Sequence, residues 1–258
     1  MSNSTILDPM NTIHGLYRSY QNNSTKPSVV VQGYLDEIER LNPRLGAYQN
    51  TWADTALEMA AAADKALAAG FAAGPFYGIP YALKDIFHVK GKVTTCGSAA
   101  MLDNIASTNS TVVQRLKAAG GIILGKTKTV ECAFGGWGTN QKMGTPMNPW
   151  DMETHRIPGG SSSGTAVAVA SGMAPCGMGS DTGGSIRLPA AYCGLVGLKV
   201  TAGRLPLHGI MPLSQSLDTP GPIAQTVLDC LIMFDVLDGR EGWKIAQDMD
   251  NGDGIYAV

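Results

Sequence analysis

The sequence has 258 residues, 44% hydrophobic and 16% charged, with 32 glycines and a formal net charge of −2, enough chain to bury a sizeable core. That balance, with no basic run anywhere, gives no electrostatic footprint for nucleic acid. No apolar stretch reaches the ~18 residues of a membrane span, and the first residues lack the basic and apolar regions of a signal peptide. The chain therefore reads as soluble and cytoplasmic. Five cysteines (96, 132, 176, 193, 230) form no CxxC pair, and four scattered histidines offer no metal-ligand spacing. In a reducing compartment the cysteines read as small buried hydrophobes, and no metal is expected.

In chain order, Thr12 to Tyr20 reads as a short helix. Ser28 to Leu41 reads as a better one, with Ser28 as N-cap, apolar residues at helical spacing and Asn42-Pro43 as the stop. Asp54 to Ala69 is an Ala-rich helix ended by Gly70. After the Gly74-Pro75 turn, Ile79 to Leu83 reads as a buried strand ending on Lys84 and Asp85. A lysine there is either a surface charge where the strand emerges or a desolvated amine of lowered pKa. Ser110 to Ala119 is an amphipathic helix and Gly121 to Leu124 a strand. Gly120, Gly125, Lys126 and Thr127 match a phosphate-loop pattern by letter, but the order helix-then-strand is the reverse of what that loop needs, so nucleotide binding is rejected. A long irregular segment from Gly135 to Pro158 follows. A helix from Ser185 to Tyr192, a strand near Leu195 to Val200, a Pro- and Gly-rich loop to Pro222 and a helix from Ile223 to Leu237 complete the pattern. Short strands alternating with helices predict an α/β fold with a mixed, largely parallel sheet flanked by helices.

The stretch from Arg156 to Pro189 carries the chemistry. Two Gly/Ser clusters, Gly159 to Gly164 and Gly183 to Ser185, bracket an Ala- and Val-rich segment unlike a flexible linker. A hydroxyl set among glycines is accessible, and neighbouring N–H groups are free to point at what it attacks. Gly160, Ser162 and Gly164 fit GxSxG, with Asp181 and His208 as later partners, but RIPGG supplies no strand running into Ser162. A cysteine nucleophile has no histidine beside it, and SxxK is absent. A serine activated by a lysine through a second hydroxyl remains.

The motifs GPFYGIPYALKD, PGGSSSG and GSDTGGSIRLPAAYCGLVGLK, in that order and with those gaps, resemble the amidase signature family from about Gly74 to about Thr226. The resemblance implies a catalytic triad of Lys84, Ser161 on a cis peptide, and the nucleophile Ser185. It implies an oxyanion hole from the N–H groups of Thr182, Gly183, Gly184 and Ser185, and no cofactor. Asp181 and Arg187 flank the nucleophile and read first as a pair fixing the loop, second as substrate contacts. Ser163 is a supporting hydroxyl. Ser180 stands where the family usually has Thr, and Val200 replaces a common Pro. The implied division is an N-terminal helical segment (1–73), a catalytic core (74–239) and a divergent tail (240–258). Family members are nearly twice as long, and their C-terminal half completes the sheet and part of the pocket. The implied partner is a small-molecule amide, with a homo-oligomer or partner subunit possible. Three functions follow: an amidase forming an acyl-enzyme, the glutaminase subunit of a tRNA-dependent amidotransferase, or a chain that keeps the motifs without catalysis.

Overall fold

In the computed structural model, residues 11–71 and 74–239 are described; the tail 240–258, with its acidic Asp248, Asp250 and Asp253, lies outside them. The helices are α1 (Ile13–Gln21), α2 (Pro27–Leu45), α3 (Ala53–Ala68), α4 (Thr111–Ala118), α5 (Ser163–Ala170), α6 (Arg187–Tyr192) and α7 (Val227–Asp238). The strands are β1 (Tyr48–Thr51), β2 (Pro80–Lys84), β3 (Ile122–Thr127), β4 (Cys176–Asp181), β5 (Val196–Gly197) and β6 (Thr219–Ala224). They form one sheet in the order β1-β3-β2-β4-β6-β5. β2 runs parallel to both β3 and β4, whereas β1, β6 and β5 join antiparallel to their neighbours. Four strands (β2, β3, β4 and β5) thus point one way and two the other, which is the mixed, largely parallel sheet expected.

Every residue of β2, β3, β4 and β6 is buried, so both faces of the sheet are covered and side chains need not alternate in polarity. The helix α5 is apolar or small all round and buried along its whole length, packing on β2, β3 and β4. Its glycine decides how close it comes. A Cβ on Gly164 would meet Ala47 O at 2.3 Å and Lys128 N at 2.5 Å, so only glycine admits this approach. Segment 11–71 contributes three helices and the edge strand β1 to the same sheet as the rest of the chain. Among the described residues, no helix is long and apolar enough to cross a membrane.

Several expectations shift in physically instructive ways. α2 does not stop at Asn42-Pro43 but continues to Leu45, where Gly46 caps it at φ 63 with its N–H on Asn42 O (2.8 Å). Pro43 sits in the last turn, where losing one N–H removes only a terminal rung. Ser28 is not the N-cap: Lys26 is, with Pro27 at the first helical position. Ser28 instead reaches α3, its N–H donating to Asp64 Oδ1 at 3.0 Å. The Asn42 side chain opens β1, accepting from Tyr48 N–H (2.7 Å).

The run to Pro222 holds a strand, β6, rather than a loop. Leu198 N–H donates to Pro222 O, so the polar side of Pro222 faces β5 and its missing N–H costs no rung with β4. By the two-residue repeat, Pro220 faces the same way. The final helix accordingly starts at Val227, with Thr226 as its N-cap, and leaves Ile223 and Ala224 in β6. The expected strand 195–200 shortens to Val196–Gly197, and the helix expected from Ser185 begins at Arg187. Gly125, Lys126 and Thr127 lie inside β3, where Lys126 Nζ pairs with Asp85 Oδ1 at 2.9 Å with both side chains buried.

Candidate active site

The parallel pairing of β2 with β4 sets the site at the carboxyl ends of these strands. Lys84 is the last residue of β2 and fully buried. Its Nζ donates to Ser161 Oγ at 2.7 Å and Ser180 Oγ at 2.8 Å, and no carboxylate forms an ion pair with it among the described residues. Burial lowers its pKa to about 7, against the weaker opposing pull of Cys96, Asp181 and Asp218. The desolvated-amine reading of Lys84 is the one the structure shows. An amine near neutrality, held by two hydroxyls, can take a proton that an ordinary lysine could not.

The Gly160–Ser161 peptide is cis. Three hydrogen bonds, one of them from a side-chain hydroxyl, fix this corner. Ser161 O accepts from Thr129 Oγ1 (2.9 Å) and Val130 N–H (3.3 Å), and Gly160 N–H donates to Gly136 O (2.8 Å). A Cβ on Gly160 would lie 2.7 Å from Gly138 Cα and N, so the 135–138 loop closes on this residue only because it is glycine. Ser162 then ties the corner to β4 and the loop that follows it: its N–H donates to Ser185 O (3.2 Å) and its Oγ to Ser180 O (3.3 Å).

Ser185 is almost buried, and its hydroxyl makes no hydrogen bond among the described residues. The loop around it is organised by Asp181. That carboxylate accepts from Gly184 N–H (2.8 Å), Ile186 N–H (3.1 Å) and Arg187 N–H (3.3 Å), and from both arms of the Arg187 guanidinium at 3.0 Å. Burial alone would raise the Asp181 pKa; these donors outweigh it and bring the group below its ordinary value. Arg187 therefore lies against Asp181, as the pair reading expected. The same bonds correct one expectation. Gly184 N–H is taken by Asp181, so of the four anticipated oxyanion donors only Thr182, Gly183 and Ser185 keep an N–H without an acceptor among the described residues. Ser163 opens α5 with its Oγ buried and without a partner among the described residues, in contact with neither Lys84 nor Ser185 by hydrogen bond.

Two participants were missed in the sequence. Ser180 entered only as a conservative replacement, yet it is the second hydroxyl on Lys84; the β2–β4 pairing, with Leu83 opposite Met178, is what brings it there. Asp218 accepts from Thr182 Oγ1 and from the N–H groups of Leu213 (2.8 Å) and Ser214 (3.0 Å), pinning the loop after β4 to the loop before β6. Neither has a signal in a single sequence, because the contact that brings each to the site joins residues far apart: Ser180 with Lys84, and Asp218 with Thr182. Among the described residues no cluster of three or more His, Cys, Asp or Glu side chains is placed to hold a metal.

A buried lysine under two serines at the end of a parallel strand, beside a Gly/Ser loop, defines a serine–lysine site on an α/β sheet. The amidase family model matches residues 29–252, and the chain belongs to that family, the one carrying the amidase signature. The match extends on both sides of the 74–226 stretch that the motifs mark. A glutamyl-tRNA(Gln) amidotransferase subunit from Chromohalobacter salexigens is 45% identical over 210 residues, covering 81% of this chain and 43% of that protein. The crystal structure of the peptide amidase from Stenotrophomonas maltophilia superposes with a TM-score of 0.83 at 35% identity, over 92% of this chain and 50% of that one. The crystal structure of the corresponding amidotransferase subunit from Thermotoga maritima gives a TM-score of 0.71 at 35% identity, over 85% and 45%. The chain spans half or less of the length of these relatives.

Proposed function

We propose that the chain hydrolyses a carboxamide C–N bond through an acyl-enzyme, with Ser185 as nucleophile, Ser161 as bridging hydroxyl and Lys84 as base, the chemistry residing in the core 74–239. The observation that carries this reading is Lys84: fully buried, of pKa lowered to about 7, and bonded to Ser161 at 2.7 Å. A serine hydroxyl attacks only when a base removes its proton. Neutral Lys84 draws the proton of Ser161, which in turn takes that of Ser185 as its Oγ bonds to the amide carbon. The open N–H groups of Thr182, Gly183 and Ser185 stabilise the oxygen of the tetrahedral intermediate. The relay returns the proton to the nitrogen, the C–N bond breaks, and ammonia or an amine leaves. Water, activated by the same relay, then attacks the Ser185 ester and releases the acid. No cofactor takes part.

A second reading draws on the relatives named as amidotransferase subunits: the amide is that of glutamine, and partner subunits use the ammonia. Ammonia release from glutamine and from a panel of small carboxamides, measured for the purified chain and for Ser185→Ala, separates the possibilities. Release that vanishes in Ser185→Ala supports hydrolysis, and preference for glutamine selects the second reading. No release from any amide by a folded chain contradicts both.

A further inference from the structure

Cys96 and Cys132 lie on two loops that meet beside the Lys84 end of β2. Cys96 follows the turn after β2, and its N–H donates to Asp85 O (2.9 Å), the residue next to Lys84. Cys132 sits in the short turn Glu131–Ala133, and its N–H donates to Cys96 O (2.8 Å). Standard backbone dimensions then hold the two Cα atoms within about 6.7 Å of each other. Disulfides span roughly 4.4–6.8 Å between Cα atoms. Both cysteines have left-handed backbone, at φ 53 and φ 50. Three further bonds hold the two loops together: Ser98 Oγ to Glu131 Oε1 (2.7 Å), and the Asn140 side-chain amide to both Gly97 O (2.7 Å) and Thr129 O (3.0 Å). Burial pushes the Cys96 thiol up to about 12, and the Cys132 thiol adds to that rise.

We propose that Cys96 and Cys132 form an oxidant-responsive thiol pair that a peroxide converts into a disulfide beside Lys84. The two differ in the way a two-step oxidation needs: Cys132 is exposed and Cys96 buried. Hydrogen peroxide reaches Cys132 first. Its sulfur attacks one peroxide oxygen, the O–O bond breaks, and a sulfenic acid and one water result. The Cys96 sulfur then attacks the Cys132 sulfur and displaces hydroxide, which leaves as a second water with the Cys96 proton. The sum is two thiols plus one peroxide to one disulfide plus two waters. The new bond ties the 93–98 turn to the loop that leads to Gly136, whose carbonyl holds Gly160 N–H.

Treating the folded chain with hydrogen peroxide, blocking free thiols and mapping proteolytic fragments by mass spectrometry tests the proposal without reference to turnover. The expected product is a fragment pair cross-linked through Cys96 and Cys132, released by a thiol reductant and absent in Cys132→Ser. In Cys96→Ser, Cys132 should persist as a sulfenic acid that dimedone traps. Oxidation of wild-type Cys132 to sulfinic acid while Cys96 stays free, or full blocking of both thiols after peroxide, would overturn it.

Discussion

If neutral Lys84 is the base, the rate of acylation must follow its titration. Burial brings this amine from 10.5 to about 7. The neutral fraction is then about 10% at pH 6, 50% at pH 7 and 90% at pH 8, whereas an unperturbed lysine would be only about 0.1% neutral at pH 7.5. The sign is fixed by the role: the active form has lost its proton, so the rate climbs with pH through about 7 and levels off above it. The assay is the rate at which a fluorophosphonate modifies the chain from about pH 5.5 to about pH 10.5, read by intact mass. Lys84→Arg keeps a side chain that stays protonated and should lose the rise together with nearly all reactivity. A flat wild-type profile, or one that begins to climb only above pH 9, would refute the assignment of Lys84 as a buried base.

Ser180→Ala removes one of the two hydroxyls on Lys84 and should slow acylation by about 10–100-fold, while Ser180→Thr, which keeps the hydroxyl, should stay within a few-fold of wild type. Equal rates for the two variants in the same labelling assay would remove Ser180 from the site. Lys126→Ala leaves Asp85 charged and buried, and should cost about 3–5 kcal/mol of stability in a denaturant titration; a loss under 1 kcal/mol would mean that the buried pair is not maintained. Gly164→Ala drives a Cβ into the backbone at Ala47 and Lys128 and should destabilise by about 1–3 kcal/mol, because neither neighbour is a side chain that can turn aside. An unchanged unfolding midpoint would show that α5 does not sit as close to β3 as described. Asp181→Ala should release the Gly184 N–H and abolish the Arg187 pair, lowering acylation more than it lowers stability; the reverse ranking would make Asp181 a fold residue alone.

The fold was legible where local pattern and tertiary demand agree. The Ala-rich run at 54–69 and the apolar run before Lys84 produced a helix and a strand close to where periodicity puts them. β4 was not seen because CGMGSD is poor in the branched and aromatic residues that mark strands; it is a strand because β2 and β6 pair with it on both sides. β6 was masked by its two prolines, whose harmlessness depends on which neighbour they face. Lys84, Ser161 and Ser185 were singled out by their motifs, and the structure joins Lys84 directly to Ser161. The second hydroxyl on Lys84 and the Asp218 anchor on Thr182 were not, since each joins segments far apart in sequence; the Gly184 N–H bond to Asp181 is local, but the letters do not show which way that carboxylate turns. The opposite is true of the phosphate-loop letters at Gly120 to Thr127, which a single sequence displays and the strand order empties of meaning.

The proposed chemistry stands or falls on whether Ser185 is an activated nucleophile. Reaction of the purified chain with a fluorophosphonate, followed by fragment mapping, measures this directly, with Ser185→Ala and Lys84→Ala as controls. The expected result is one adduct, on Ser185, absent from Ser185→Ala and nearly absent from Lys84→Ala because the triad acts as a unit. A folded chain that takes up no probe, or that carries the adduct on another residue, would contradict it.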